Sequence, residues 1–430
     1  MVIHVVQPGE TITSIARRYQ VSVDRLIVEN EIVNPNNLVV GQTIVIVEPL
    51  LWYTIQEGDT LEKIADMHSV SVMHILRNNP YLSDREYIYP GESIVISYKT
   101  EKIQAIAIGG YVSSFVNMDV LRKTLPFLTL LTVFDYRVNS EGEINDIDDQ
   151  EIVDISKAYG VFPMMLVSTL SEQGIGSREV VNNILNNLGL QNQMIENIIS
   201  KMKAKGYLGL NLYVQFLTEE NQSQVEGFLS NISARLNSEG YRVTVTLTPK
   251  VDIEGTEVIY EVIDYSTIAQ YVDALLILSH DWGYSYGPPA SVTPVNILRE
   301  LIQNVIKTVP LEKVVLGIPV IGYDWELPYV PGYTRANALT YNSAILIAAN
   351  NDAIIQYNEV SAAPYFFYQY DDILHNVWFK DARSIDIITR LVPEYGLHRI
   401  LTWNNMYFFT QMWFVINNLY DIEKMTWIDE

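Results

Sequence analysis

The chain has no cysteine among its 430 residues, which rules out disulfides, thiolate nucleophiles and Cys-based zinc sites. That absence is neutral about compartment, because exported proteins also do without the residue. Basic residues are scarce as well: 28 Lys and Arg stand against 51 Asp and Glu, a formal net charge of −23. Such a surface repels phosphate backbones and anionic lipid, so neither nucleic acid nor a membrane surface is an expected partner. Long apolar runs are missing too. None reaches the roughly 18–20 residues a membrane-spanning helix needs, and no basic n-region followed by an apolar h-region opens the chain. No G-x-S-x-G nucleophile motif occurs, and the six His are scattered without metal-ligand spacing. No cofactor and no metal are expected.

What the chain does have is size, apolar content and a repeat. Hydrophobic residues make up 48%, enough for large cores and more than one folding unit. Residues 4–47 align with 53–97 at an offset of about 49 residues. Gly9 stands over Gly58, Thr11 over Thr60, Ile15-Ala16 over Ile64-Ala65, and Asn30 over Asn79. Each copy closes on a Gly-polar-x-Ile-x-Ile run, at Gly41 to Ile46 and at Gly91 to Ile96. A short β run, a Thr able to cap a helix, a second helix from Ser22 and a closing strand predict a βααβ unit.

These units resemble the LysM module, in the Gly-acid-Thr start, the Asn after the second helix and the closing strand. The resemblance implies glycan binding, to peptidoglycan or chitin-like polymers, in a groove between two loops. By position it implicates Gly9, Glu10, Thr11, Ile12, Asn34 and Pro35 in the first copy, and Gly58, Asp59, Thr60, Leu61 and Leu82 in the second. A turn glycine and a capping Thr explain some of the same residues without any ligand.

From Ile103 the pattern changes. Eight near-continuous apolar runs, at 103–111, 128–136, 161–169, 206–216, 241–249, 272–281, 313–325 and 398–403, alternate with amphipathic stretches such as 177–203 and 221–240. This alternation predicts an α/β fold, a parallel (β/α)8 TIM barrel with an α+β insertion between its seventh and eighth strands. The expected units are 1–48, 51–99 and 101–430, with 326–380 inserted.

Several strand ends are similar to glycoside hydrolase family 18, in the spore-associated branch that joins two LysM modules to the barrel. SHDWGYSYGPPASVTPVNILRE after the sixth strand, LGIPVIGYDWELPY at the seventh, LTPK at 247–250 and HNVWFKDARS carry the resemblance, with Lys380 where the family keeps Glu. Trp403 falls at the family's floor tryptophan. Other aromatics at strand ends or in the insertion, including Tyr111, Phe134, Tyr323, Trp325 and Trp378, are candidates to line a sugar cleft by stacking or to fill the barrel.

The family's fourth strand carries three acids, and here KGYLGLNLYVQFL keeps Gly206, Tyr207, Gly209 and Asn211 but not the acids. Leu208 and Tyr213 stand at two Asp positions and Gln215 at the catalytic Glu. In the family's reaction the Glu protonates the leaving oxygen while the substrate's N-acetyl carbonyl attacks the anomeric carbon. Gln has no proton to give, and acid catalysis supplies about 10²- to 10⁴-fold. The cleft is expected to comprise Asn211, Tyr213, Gln215, His280, Asp281, Trp282, Tyr323 and Trp403, with no catalytic residue assigned.

The expectation is therefore a pseudoenzyme, a peptidoglycan-binding spore-envelope protein whose barrel has lost hydrolase activity, made without a recognisable signal peptide. One alternative is an active cortex N-acetylglucosaminidase with a displaced acid, for which Glu219, Glu220, Asp281, Asp324 and Glu326 are within range of the rim. A second is a structural coat or surface-layer protein that associates with itself or with coat proteins.

Overall fold

The computed structural model describes residues 1–170, 176–214, 216–249, 251–254, 257–260, 263–278 and 287–424, with 251–254 and 257–260 described by backbone alone. Two small units come first. In one, β1 (Val2–Val5) pairs antiparallel with β2 (Thr43–Ile46) around α1 (Ile12–Tyr19) and α2 (Val23–Asn30). The other repeats it with β3 (Pro49–Thr54), α3 (Leu61–His68), α4 (Val72–Asn78) and β4 (Ser93–Tyr98). Thr11 and Thr60 cap the first helix of each unit by accepting the amide three residues on. The repeated Asn also has a physical reason. Asn30 is buried, donates to the Val45 carbonyl at 2.9 Å and accepts the Val45 amide at 2.7 Å; Asn79 does the same to Val95 at 2.8 and 2.9 Å. One side chain thereby pins helix to closing strand.

The barrel follows as β5 (Gln104–Val112), α5 (Met118–Thr124), β6 (Leu130–Arg137), α6 (Gln150–Ala158), β7 (Phe162–Ser168), α7 (Arg178–Asn186), α8 (Leu188–Lys205) and β8 (Gly209–Tyr213). Then come α9 (Gln222–Asn237), β9 (Arg242–Leu247), a hairpin of β10 (Val251–Glu254) and β11 (Glu257–Tyr260), α10 (Tyr265–Ala269), β12 (Ala274–Ile277), α11 (Val295–Val305) and β13 (Val314–Pro319). A five-stranded antiparallel sheet is inserted here: β14 (Gly322–Leu327), β15 (Asn337–Leu339), β16 (Gln356–Asn358), β17 (Ala363–Tyr370) and β18 (Ile373–Trp378), with α12 (Tyr341–Asn350) within it. The chain returns through α13 (Ala382–Glu394), β19 (Arg399–Trp403), α14 (Thr410–Leu419) and β20 (Tyr420–Ile422). Eight strands pair in parallel, and β19 closes on β5 with Ile400 opposite Ile108. The expected barrel is present, with the LysM-type repeats ahead of it.

Two details differ from the sequence pattern. The apolar run 313–325 is two strands, because β13 ends at Pro319 and β14 belongs to the insertion. The stretch 177–203 is two helices, divided at Asn187, whose side chain accepts the Leu190 amide as a new N-cap.

The small units are docked, not strung. Val39, Val45, Val47, Val95 and Tyr98 belong to the same buried core as the barrel helices. Thr43 donates to Gln411 and Gln411 donates back to the Thr43 carbonyl, both at 2.7 Å; Asn417 donates to Asn78 at 2.9 Å. Gly41, at φ +89°, lies so close to the insertion that a β-carbon there would sit 2.0 Å from the Ile355 carbonyl oxygen.

Candidate active site

The barrel interior is lined by alternate residues of the strands, and its upper layer is aromatic. Tyr111, Leu166, Ala274, Leu276, Val315 and Leu401 form a buried cluster on which Phe134, Tyr213 and Trp403 pack. Trp403 ends β19 half-buried, its ring 4.9 Å from Tyr111 edge-on and 5.2 Å from Phe134. Its indole is partly exposed at the C-terminal end of the barrel strands.

Beneath that layer a polar chain is fully accounted for. The Tyr111 hydroxyl and Thr246 hydroxyl are 2.5 Å apart, Thr246 donates to Asn211 Oδ1 at 2.9 Å, and the Asn211 amide donates to Thr244 at 2.8 Å. Asn211 is completely buried. Burial raises the Tyr111 phenol well above its ordinary value, so it stays a hydrogen-bond donor. Asn211 thus serves to hold β5, β8 and β9 in register under the site. Tyr213, two residues on and on the same face, is half-buried against the aromatic layer. Leu208 lies at the opposite, N-terminal end of β8, its amide donating to Pro163. Gln215, His280, Asp281 and Trp282 lie outside the described residues.

Carboxylates at the rim differ in what they are free to do. Asp324 is buried and engaged, accepting the Tyr368 hydroxyl at 2.6 Å and contacting His375 Nδ1 at 3.0 Å. Strand alternation puts Asp324 and Glu326 on the face of β14 opposite Tyr323 and Trp325. The aromatic face carries Tyr323, with its ring 5.6 Å from Trp325, and Trp378 stacked at 4.6 Å on Tyr365. Glu220 is exposed, and hydrogen bonds from Thr218 and its own backbone hold its carboxyl below the ordinary range. Glu219 is exposed at the end of the β8 loop.

Asp135, at the end of β6, was not among the expected candidates. It follows Phe134 directly and accepts the Ser113 hydroxyl and Ser114 amide at 2.5 Å each. A carboxylate at the C-terminal end of a barrel strand was the available signal for it. Among the described residues no group of three or more His, Asp or Glu could hold a metal ion.

In the small units, Gly9 and Gly58 are at positive φ with open space where a side chain would be. Glu10 turns inward. Burial works against its charge, but the Gln7 amide, His4 and Arg18 outweigh it and leave the carboxyl below its ordinary value. Asp59, in the second unit, accepts the Gln56 amide and the Tyr53 hydroxyl. Ile12 and Leu82 sit in the unit cores, Leu61 and Pro35 are half-buried, and Asn34, Thr11 and Thr60 are exposed.

Against known families, the LysM domain model matches residues 4–47 and 53–97, and that of glycosyl hydrolases family 18 matches 181–407. A cortical fragment-lytic enzyme of Bacillus subtilis (strain 168) is 30% identical over 431 residues, covering 99% of this chain and all of that one. The crystal structure of the spore cortex-lytic enzyme SleL of Bacillus megaterium QM B1551 superposes with a TM-score of 0.80 at 29% identity, covering 99% of each chain. That of SleL from Bacillus cereus gives 0.79 at 27%, over 98% of this chain and 99% of that one. Two LysM domains ahead of a family 18 barrel fit glycan partners and a place in the spore. Among the described residues, no helix is long and apolar enough to cross a membrane.

These relatives overturn the expectation that the barrel has lost its hydrolase activity. Chains that align with this one from end to end are lytic enzymes, so the label of pseudoenzyme does not stand. The expectation tied the proton to one position of the fourth-strand motif, that of Gln215. A proton donor needs only to reach the leaving oxygen, and the barrel rim offers eight loops from which to do so.

Proposed function

The chain belongs to glycosyl hydrolases family 18, with two LysM domains ahead of its barrel, and from that membership we propose that it is a lytic glycosidase acting on N-acetylglucosamine-containing fragments of spore cortex peptidoglycan. The observation that carries it is the end-to-end likeness to cortex-lytic enzymes. Residues 1–48 and 51–99 hold the glycan, and 101–430 perform the cleavage. The protein acts within the spore envelope.

The residues divide the work as follows. Trp403, with Phe134 and Tyr111 behind it, presents the surface on which the sugar at the cleavage point lies. The N-acetyl oxygen of that sugar attacks the anomeric carbon as the bond to the leaving oxygen breaks, and the leaving oxygen takes a proton from a carboxylic acid. Water then opens the cyclic intermediate and returns a proton to the same group. Tyr213 replaces a carboxylate beside the acetamido group with a phenol that donates a hydrogen bond. We assign the proton donor to Glu219, the carboxylate that follows β8 most closely and that, among the described residues, is not held in another contact as Asp324 is.

The test is the full chain incubated with cortex fragments, followed by release of reducing ends. Release above buffer, reduced about 10²-fold or more in Glu219→Gln, is the expected result. Release lost instead in Asp135→Asn or Asp281→Asn moves the donor, and no release at any pH from about 4 to 8 overturns the assignment as a glycosidase.

A further inference from the structure

Between the two LysM domains and the barrel lies a cleft of about 410 Å³, away from the Gly-acid-Thr loops and from the barrel mouth. That volume falls in the range of small-ligand sites. Its walls come from α2, β3, the end of α4 and the start of α14. Its charged lining is balanced, Arg25, Arg77 and Arg85 against Asp24, Glu29 and Glu31; Arg25 is paired with Glu29 and Arg85 with Glu92, which leaves Arg77 as the arginine to consider.

Two polar groups in it are left incomplete by the protein. Arg77 donates from Nη1 to the Pro126 carbonyl at 3.1 Å, but its buried Nε has no partner, and no carboxylate lies within 4.0 Å of it among the described residues. Burial lowers its pKa to about 10, and the more distant Asp421 carboxylate offsets this only in part. Glu29 is the complement. Its Oε1 accepts from Arg25 Nε at 2.5 Å and from the Tyr98 hydroxyl at 2.9 Å, while its buried Oε2 has no donor among the described residues. Burial raises its pKa despite Arg25. Aromatic faces line the same cleft: Arg25 lies 5.2 Å over the half-exposed Trp52 ring, and Arg85 5.2 Å over Tyr81.

We propose that this cleft is a second ligand site, which takes an N-acylated carboxylate with its carboxyl on Arg77 and a hydroxyl or N–H on Glu29 Oε2. A buried guanidinium nitrogen with no partner and no carboxylate within 4.0 Å, and a carboxylate oxygen with no donor, both among the described residues of one cleft, fit a ligand that bears both groups. N-acetylated sugar acids and N-acylated peptide ends share this chemistry. The neutral N-acetylglucosamine lacks the carboxylate, so this cleft discriminates against it. The inference stands apart from the barrel's activity, because binding here needs no cleavage.

The experiment titrates the full chain, by calorimetry and by the Trp52 indole signal in NMR, with N-acetylmuramic acid, with N-acetyl-alanyl-alanine and with N-acetylglucosamine. Either acid is expected to shift the Trp52 signal and to bind at least tenfold more weakly to Arg77→Gln, with N-acetylglucosamine binding unchanged. Which acid binds identifies the source. Should Arg77→Gln fail to fold, Glu29→Gln and the Trp52 shift in the unaltered chain carry the test. Binding that is equal in both variants and the parent, or no Trp52 shift with either acid up to about 10 mM, overturns the proposal.

Discussion

Replacing Gly41 by alanine will destabilise the chain far more than replacing Gly91, although the two glycines occupy the same place in the two LysM domains. Both are in the left-handed region, at φ +89° and +92°, so each alanine brings roughly 1–2 kcal/mol of backbone strain. There the equivalence ends. At Gly91 the new β-carbon meets nothing within 4 Å, whereas at Gly41 it would lie 2.0 Å from the Ile355 oxygen and 2.8 Å from its carbonyl carbon. Contact between backbone segments cannot be relieved by a rotamer change. The domain must back away from the insertion, which breaks the Ile355 amide bond to Val40, at 2.9 Å, and the Arg383 bond to Gly41, at 3.3 Å. At about 1 kcal/mol each, plus the packing lost around Val39, the difference between the two variants comes to roughly 2–3 kcal/mol. Urea unfolding of both variants measures it, and hydrogen exchange at the Ile355 amide reports the opening directly. Variants that differ by less than about 0.5 kcal/mol, with Ile355 equally protected, would refute the docking of the first LysM domain described above.

Asn211→Leu leaves the Tyr111 and Thr246 hydroxyls only each other, and Thr244 only a long bond to the Leu210 carbonyl at 3.5 Å, so the loss corresponds to about one buried polar group short of its partners, about 1–3 kcal/mol in an unfolding experiment. Trp403→Ala removes the cleft floor; KM for cortex fragments rises and kcat/KM falls by about tenfold or more in steady-state assays, while the fold, held by the residues beneath, melts cooperatively. Glu10 has a lowered pKa in the folded chain, so its contribution is present above the unfolded carboxyl value, about 4.5, and is lost as pH falls through the folded one; Glu10→Gln flattens that acid limb in melts of the first domain. Lys380 is buried with one hydrogen bond, to Thr293, and burial lowers its pKa to about 7. The folded chain therefore binds fewer protons than the unfolded one between about pH 7 and 10.5, stability rises with pH across that window, and the stabilising effect of Lys380→Met is largest at or below pH 7 and shrinks above it in paired melts.

The barrel was legible because a parallel strand buried on both faces is a nearly unbroken apolar run, and all eight are seen at or near the expected places. The repeats were legible through Gly, Thr and Asn, residues whose backbone geometry and capping roles leave few substitutes. Docking was not, since Val39, Val45 and Val47 are as apolar as a free module's own core would require, and nothing in their type tells which neighbour they touch. At the barrel mouth the strand pattern placed Asn211 and Trp403 on their strands, but Asn211, expected to line the cleft, is buried beneath it in hydrogen bonds to Thr244 and Thr246, and Asp135 was passed over as the polar end of an apolar run. The deepest misreading came from Gln215. A missing acid at one position is a statement about that position, and catalysis is a property of the whole rim.

A module on a flexible tether lets its enzyme search a sphere around the point of attachment. Here Thr43 and Gln411, Asn78 and Asn417, and the shared core leave no such freedom between the two. With the proposed function, the chain would behave as a caliper with its jaws locked: a strand gripped by the LysM domains would be cut only at one offset from the grip. Fragment lengths would then carry the imprint of that spacing, and an advance along the polymer would require letting go.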